Sequence, residues 1–179
     1  SAEGSEANMK ALSAHAPTVL HIATHGFFID DPTRIPATLK SSLELTGQET
    51  DEERSLKMSG LILAKSGTDG IVTAAELADY DLSATDIVLL SACETGLGVL
   101  NTDGVFGLQR GFKKAGVGSI VMSLWKVDDE ATQRMMTLFY DHWLRHGDKR
   151  QAFMEAQRTI RAEYPDPMYW AAFILLDGF

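Results

Sequence analysis

Apolar positions recur along the chain with two different periods. Residues 18–24 (Thr18-Val-Leu-His-Ile-Ala-Thr24) form a mostly apolar run ending at His25-Gly26. Residues 87–91 form a second run leading to Cys93, and residues 120–125 a third. Runs this continuous predict buried parallel strands rather than half-exposed ones. Residues 59–64 predict a short strand, and Asp69-Gly70 a hairpin-type turn into Ile71-Val72. The helical period is clearest after Asp128, where Ala131, Met135, Leu138, Phe139 and Trp143 share one face up to Gly147. Asp148 with Gln151 opens the next helix, with Phe153, Ala156 and Ile160 inward, and Asp103 is expected to cap a helix to Lys114 that stops at Gly116. Ser5 is placed to cap a helix over residues 6–13, and Thr73-Ala-Ala-Glu76 is a capping box. Pro165-Asp-Pro167 turns the chain into a last strand over 170–176. Alternating strands and helices predict an α/β domain with a mostly parallel sheet.

One stretch has no period. Between residues 29 and 57, Asp30-Asp31-Pro32 and Pro36 break regular structure and residues 44–54 are polar and acidic. Residues 40–57 are expected to be an acidic, mobile loop or insertion, with Arg54 or Lys57 as a site of self-cleavage.

Composition narrows the field. The length of 179 residues suits one domain, 1–179. The net charge of −9 argues against nucleic acid as a partner. No apolar run reaches the ~18 residues of a membrane span. The single cysteine precludes an internal disulfide and gives no sign of an oxidising compartment.

That cysteine raises the question of chemistry. Sites in open α/β sheets form beyond the carboxyl ends of the strands. His25 follows the first strong strand and Cys93 the second, so parallel neighbours would bring both to one sheet edge. A thiol becomes an effective nucleophile as thiolate, and a nearby imidazole takes or stabilises that proton charge. Gly26 lets the backbone approach a substrate, and its amide with that of Cys93 can form an oxyanion hole. The plainer reading is a small buried thiol and a histidine at a strand end.

The words around these residues add to the spacing. His21-Ile-Ala-Thr-His25-Gly26, Leu90-Ser-Ala-Cys93-Glu-Thr-Gly96, Ser123-Leu-Trp125-Lys-Val-Asp128-Asp129 and Tyr169-Trp170-Ala-Ala-Phe173 resemble the CHAT family. That family is similar to caspases, separases and gingipains. The resemblance runs from about residue 4 to residue 179. It implies a caspase-like three-layer sandwich with a central sheet flanked by helices, here lacking the usual N-terminal part. The chain then reads as the C-terminal, catalytic portion of a longer domain. The resemblance also implies a His–Cys dyad on His25 and Cys93, cytoplasmic proteolysis of protein or peptide substrates, and tetratricopeptide or other sensor repeats upstream. That chemistry needs no metal or organic cofactor. The alternative is a catalytically silent regulatory or interaction domain that keeps the fold.

Further residues have two readings each. Asp128 and Asp129 follow the third strand. One caps the helix, or one lines an S1 pocket that selects Lys or Arg, with Trp125 as an apolar wall or a core residue. Caspase relatives that cut after Asp use Arg in that role, and no Arg stands in the corresponding stretch. His21 and His25, four apart on one expected strand, would share a face, but with Cys93 they lack a fourth zinc ligand. In the family reading His21 is a supporting or core residue. Glu94 and Thr95 shape the turn after Cys93. His142 and His146, beside Arg145 at a helix end, read as surface residues favourable to the helix dipole.

Overall fold

A computed structural model of the chain describes residues 4–29, 31, 33, 35–40, 42–43, 45–65, 67–91 and 102–177. Helix α1 (Glu6–Ala11) starts on Ser5, whose hydroxyl accepts from the Asn8 amide at 3.3 Å, and tightens into a 3₁₀ turn over Leu12–Ala14. The strand expected over residues 18–24 and on to His25 is two strands, β1 (Val19–Ile22) and β2 (His25–Phe28). They belong to different sheets: β1 pairs in parallel with β5 (Ile87–Leu90), and β2 antiparallel with β3 (Ser59–Ile62). The chain changes sheet at Ala23–Thr24, where the Thr24 hydroxyl donates to the Ile62 carbonyl. His21 and His25 therefore do not share a strand face.

The aperiodic stretch is partly helical, which corrects the expectation of a loop over 40–57. After α2 (Ala37–Lys40), helix α3 (Asp51–Lys57) starts on a complete capping box between Thr50 and Glu53. Glu49 accepts from the Gly47 amide at 2.9 Å and from the Thr46 amide, and pairs with Lys57 at 3.4 Å. Glu49 and Glu53 thus serve as acceptors for exposed amides, while Glu52 pairs with Lys114 at 2.8 Å. Arg54 and Lys57, expected as cleavage points, lie within a helical turn.

Strand β3 meets β4 (Ile71–Thr73) antiparallel, with Ile62 opposite Ile71. Asp69-Gly70 is one corner of the 63–70 connection, with Gly70 at φ +77. Thr73 and Glu76 close the expected capping box at α4 (Ala74–Ala78). Helix α5 spans Thr102–Lys114, so Asp103 lies inside its first turn instead of capping it. Strand β6 (Ser119–Ser123) leads to α6 (Asp129–His146), then α7 (Lys149–Glu163). Trp170 ends a short helix α8 (Pro167–Trp170), and the last strand, β7, begins only at Phe173 (Phe173–Asp177).

The main sheet has the order β1-β5-β6-β7, with the first three strands parallel and β7 antiparallel. Alternation along β5 decides its two faces. Ile87 and Leu89 join Val121, Met135, Phe139, Phe153 and Ile160 beneath α6 and α7. Val88 and Leu90 join Ile120, Leu77, Leu108 and Phe112 beneath α4 and α5. The small sheet β2-β3-β4 adds Leu61 and Val72 to that second core. Its other side closes on Phe27, Ile29, Leu39, Leu43 and Met58. The result is a mostly parallel sheet between helical layers, compatible with a caspase-like sandwich.

Candidate active site

Strands β1 and β5 are adjacent and parallel, with Ile22 opposite Leu90. The Ser91 amide extends the ladder by donating to the Ile22 carbonyl at 3.1 Å. Both strands therefore end at the same sheet edge. His25 stands three residues after Ile22 in sequence, as the first residue of β2, exposed and opposite Ile62. Gly26 follows it, buried opposite Leu61. Cys93, Glu94 and Thr95 lie outside the described residues.

A groove of about 440 Å³ runs between this edge and α6, lined by His21, Ser91, Asp129, Thr132, Met136 and Tyr140, among others. His21 alternates with Ile22, so its ring faces α6 while Ile22 enters the opposite core. Its Nδ1 accepts from the Tyr140 hydroxyl at 3.2 Å. Its Nε2 lies 3.3 Å from Ser91 Oγ. The Ser91 hydroxyl donates to the Ile22 carbonyl at 3.5 Å, leaving its lone pairs to accept from His21 Nε2–H. Donation runs from Tyr140 to His21 to Ser91 and ends on the accepting Ile22 carbonyl, with a neutral imidazole. Burial pushes the His21 pKa below its ordinary value and that of Tyr140 above its own, which keeps both groups uncharged.

The other acidic candidates separate clearly. Asp128 Oδ1 accepts from the Glu130 amide at 3.0 Å and the Ala131 amide at 3.2 Å, the helix-capping role. Asp129 is exposed and lines the groove beside His21 and Ser91. Trp125 packs against the α6–α7 core and its indole donates to the Met168 carbonyl at 3.0 Å. Tyr140 and Thr132 carried no local signal of a role: Tyr140 is 119 residues from the histidine it meets. Only the alternation of β1, combined with the position of α6, brings them to the groove.

The sequence matches the CHAT domain model over residues 1–178. The chain belongs to the CHAT domain family. It is also similar to tetratricopeptide repeat protein 28 of Mus musculus, 29% identical over 144 residues, and of Homo sapiens, 29% over 143 residues. In both cases the match covers 79% of this chain and 6% of the relative, so the chain spans a small part of the length of those proteins. Membership agrees with the sheet described above, a caspase-like α/β arrangement. Among the described residues no helix is long and apolar enough to cross a membrane.

Proposed function

We propose that this CHAT domain is a cysteine endopeptidase that cleaves protein or peptide substrates through His25 and Cys93. The observation that carries the reading is the parallel register of β1 and β5. Ile22 pairs with Leu90, and each dyad member stands three residues beyond that pair in sequence. Parallel neighbours deliver residues just beyond their carboxyl ends to one edge, where α/β proteins build their sites.

In this reading His25 takes the Cys93 thiol proton and the thiolate attacks the scissile carbonyl carbon. The Gly26 and Cys93 amides hold the oxyanion. The tetrahedral intermediate expels the amine, which leaves with the proton from His25. Water then attacks the thioester, releasing the acid and restoring the thiol. Asp129, exposed in the groove next to Ser91, supports a preference for Lys or Arg at P1. Asp128 is engaged by its cap and is the weaker candidate for that pocket. A cytoplasmic location and a place after tetratricopeptide or other sensor repeats complete the proposal. The name of the mouse and human relatives supports the repeats.

Replacing Cys93 or His25 with Ala is expected to lower peptide turnover by on the order of 10³ or more, with the thermal midpoint retained. An acyloxymethyl ketone probe should label the wild type and not Cys93→Ala. Undiminished turnover in Cys93→Ala would overturn the dyad and leave a catalytically silent fold. A library varied at P1 tests the pocket separately: a preference for Leu, Met or Asp removes Asp129 from it and leaves the dyad standing.

A further inference from the structure

The α6–α7 hairpin carries a cluster that the peptidase reading does not use. His142 and His146 are one turn apart at the end of α6, and so share a helix face. The chain reverses at Gly147, in the left-handed region at φ +75, and α7 brings Glu155 against them. His142 Nδ1 is 3.0 Å from Glu155 Oε2. One ligand atom from each of His142, His146 and Glu155 lies within 4.8 Å of the other two. Gln151 donates to the remaining oxygen, Glu155 Oε1, at 2.9 Å, so the carboxylate is oriented with Oε2 toward the imidazole. That hydrogen bond, with His142, His146 and Arg158 nearby, holds the Glu155 carboxyl below its usual range.

We infer that His142, His146 and Glu155 form a binding site for a divalent transition-metal ion, zinc fitting best, that ties α6 to α7. Two imidazole nitrogens and one carboxylate oxygen are a borderline ligand set. It suits zinc, cobalt or nickel, whereas calcium and magnesium take oxygen ligands. Tetrahedral zinc with bonds of ~2.0–2.1 Å needs ligand atoms roughly 3.4 Å apart. The His142–Glu155 pair is already at 3.0 Å, and His146 is exposed, so its ring is free to rotate inward. With three protein ligands, the fourth position of a tetrahedral zinc would be left to water. Gln151 is the outer partner that ligating carboxylates commonly have. Of the neighbouring cations, Arg145 pairs with Asp141 at 3.8 Å and Lys149 with Asp86 at 2.6 Å, which leaves Arg158 as the opposing charge.

The site and the groove lie on different faces of α6. Tyr140, which lines the groove, stands two positions before His142, or about 200° around the helix. The metal would therefore act as a clasp on the hairpin, with no part in peptide hydrolysis.

Calorimetric titration of zinc chloride into the chain tests this, using wild type and a His25→Ala/Cys93→Ala background that removes the single thiol and one of the three imidazoles outside the site. One ion is expected to bind in both, with a rise in thermal midpoint. His146→Ala and Glu155→Gln should each weaken binding at least tenfold and leave the metal-free circular dichroism unchanged. Cobalt(II) should give a tetrahedral visible spectrum without thiolate charge-transfer absorption. Zinc binding that persists in His146→Ala, that disappears in the His25→Ala/Cys93→Ala background, or that is undetectable at micromolar concentrations would overturn the assignment.

Discussion

The two faces of the main sheet are covered in opposite ways. On one, α6 and α7 fill space with large side chains. Phe139 is fully buried, stacks on Trp143 with centroids 5.6 Å apart, and meets Phe153 edge-on at 6.5 Å. On the other, α5 contributes Leu108 and Phe112 but also approaches its neighbours through glycine. A Cβ on Gly111 would stand 2.6 Å from the Ala74 carbonyl oxygen, and one on Gly107 would stand 2.1 Å from Ser59 Oγ. The first face is close-packed by bulk and the second by its absence, so each is vulnerable to the opposite change.

Truncating the bulk should do the most damage. Phe139→Ala removes a ring in contact with three other aromatics, and is expected to cost about 3–5 kcal/mol in a urea unfolding series. The converse test is Gly111→Val. Backbone faces backbone there, so the added side chain forces α5 away from α4, at about 1–3 kcal/mol. If Gly111→Val were neutral and Phe139→Ala mild, the contrast between the faces would fail.

Smaller effects sharpen the comparison at the edge where α6 begins. Asp128→Ala should lose about 1 kcal/mol, because two first-turn amides lose their acceptor. Asp129→Ala, exposed in the groove, should stay within about 0.5 kcal/mol of wild type while changing P1 preference. The least effect concerns pH. The folded pKa of His21 is depressed, so the fold favours the neutral ring. Above the unfolded value of about 6.5 this has no cost. As pH falls through that value, the unfolded chain takes up the proton first and stability declines. Between about pH 7 and pH 5 the urea midpoint of His21→Gln should fall less than that of wild type.

The helical face was legible because its information is local. Ala131, Met135, Leu138 and Phe139 repeat at the helical period, Asp128 caps the start and Gly147 the end, and the structure keeps each of these roles. The same holds for Thr73 with Glu76 and for Asp148 with Gln151. The acidic stretch does not read as a helix because its capping box, Thr50 with Glu53, stands among other acidic residues that mask it. The break between His21 and His25 was illegible for a different reason. A strand's period says that its residues alternate, but not which neighbour it will pair with.

Sequence alone determined the alternation of strands and helices, the caps at Ser5, Thr73, Asp128 and Asp148, and membership of the CHAT domain family. Those depend on neighbours within a few residues, or on residue identity. Tertiary structure decided that residues 19–28 divide between two sheets, and that His21 lies between Tyr140 and Ser91. It also decided that Asp129 lines the groove. These contacts join residues 38 to 119 positions apart. They arise only when the sheet aligns its strands and the helices pack on it, since no local propensity encodes a partner that distant.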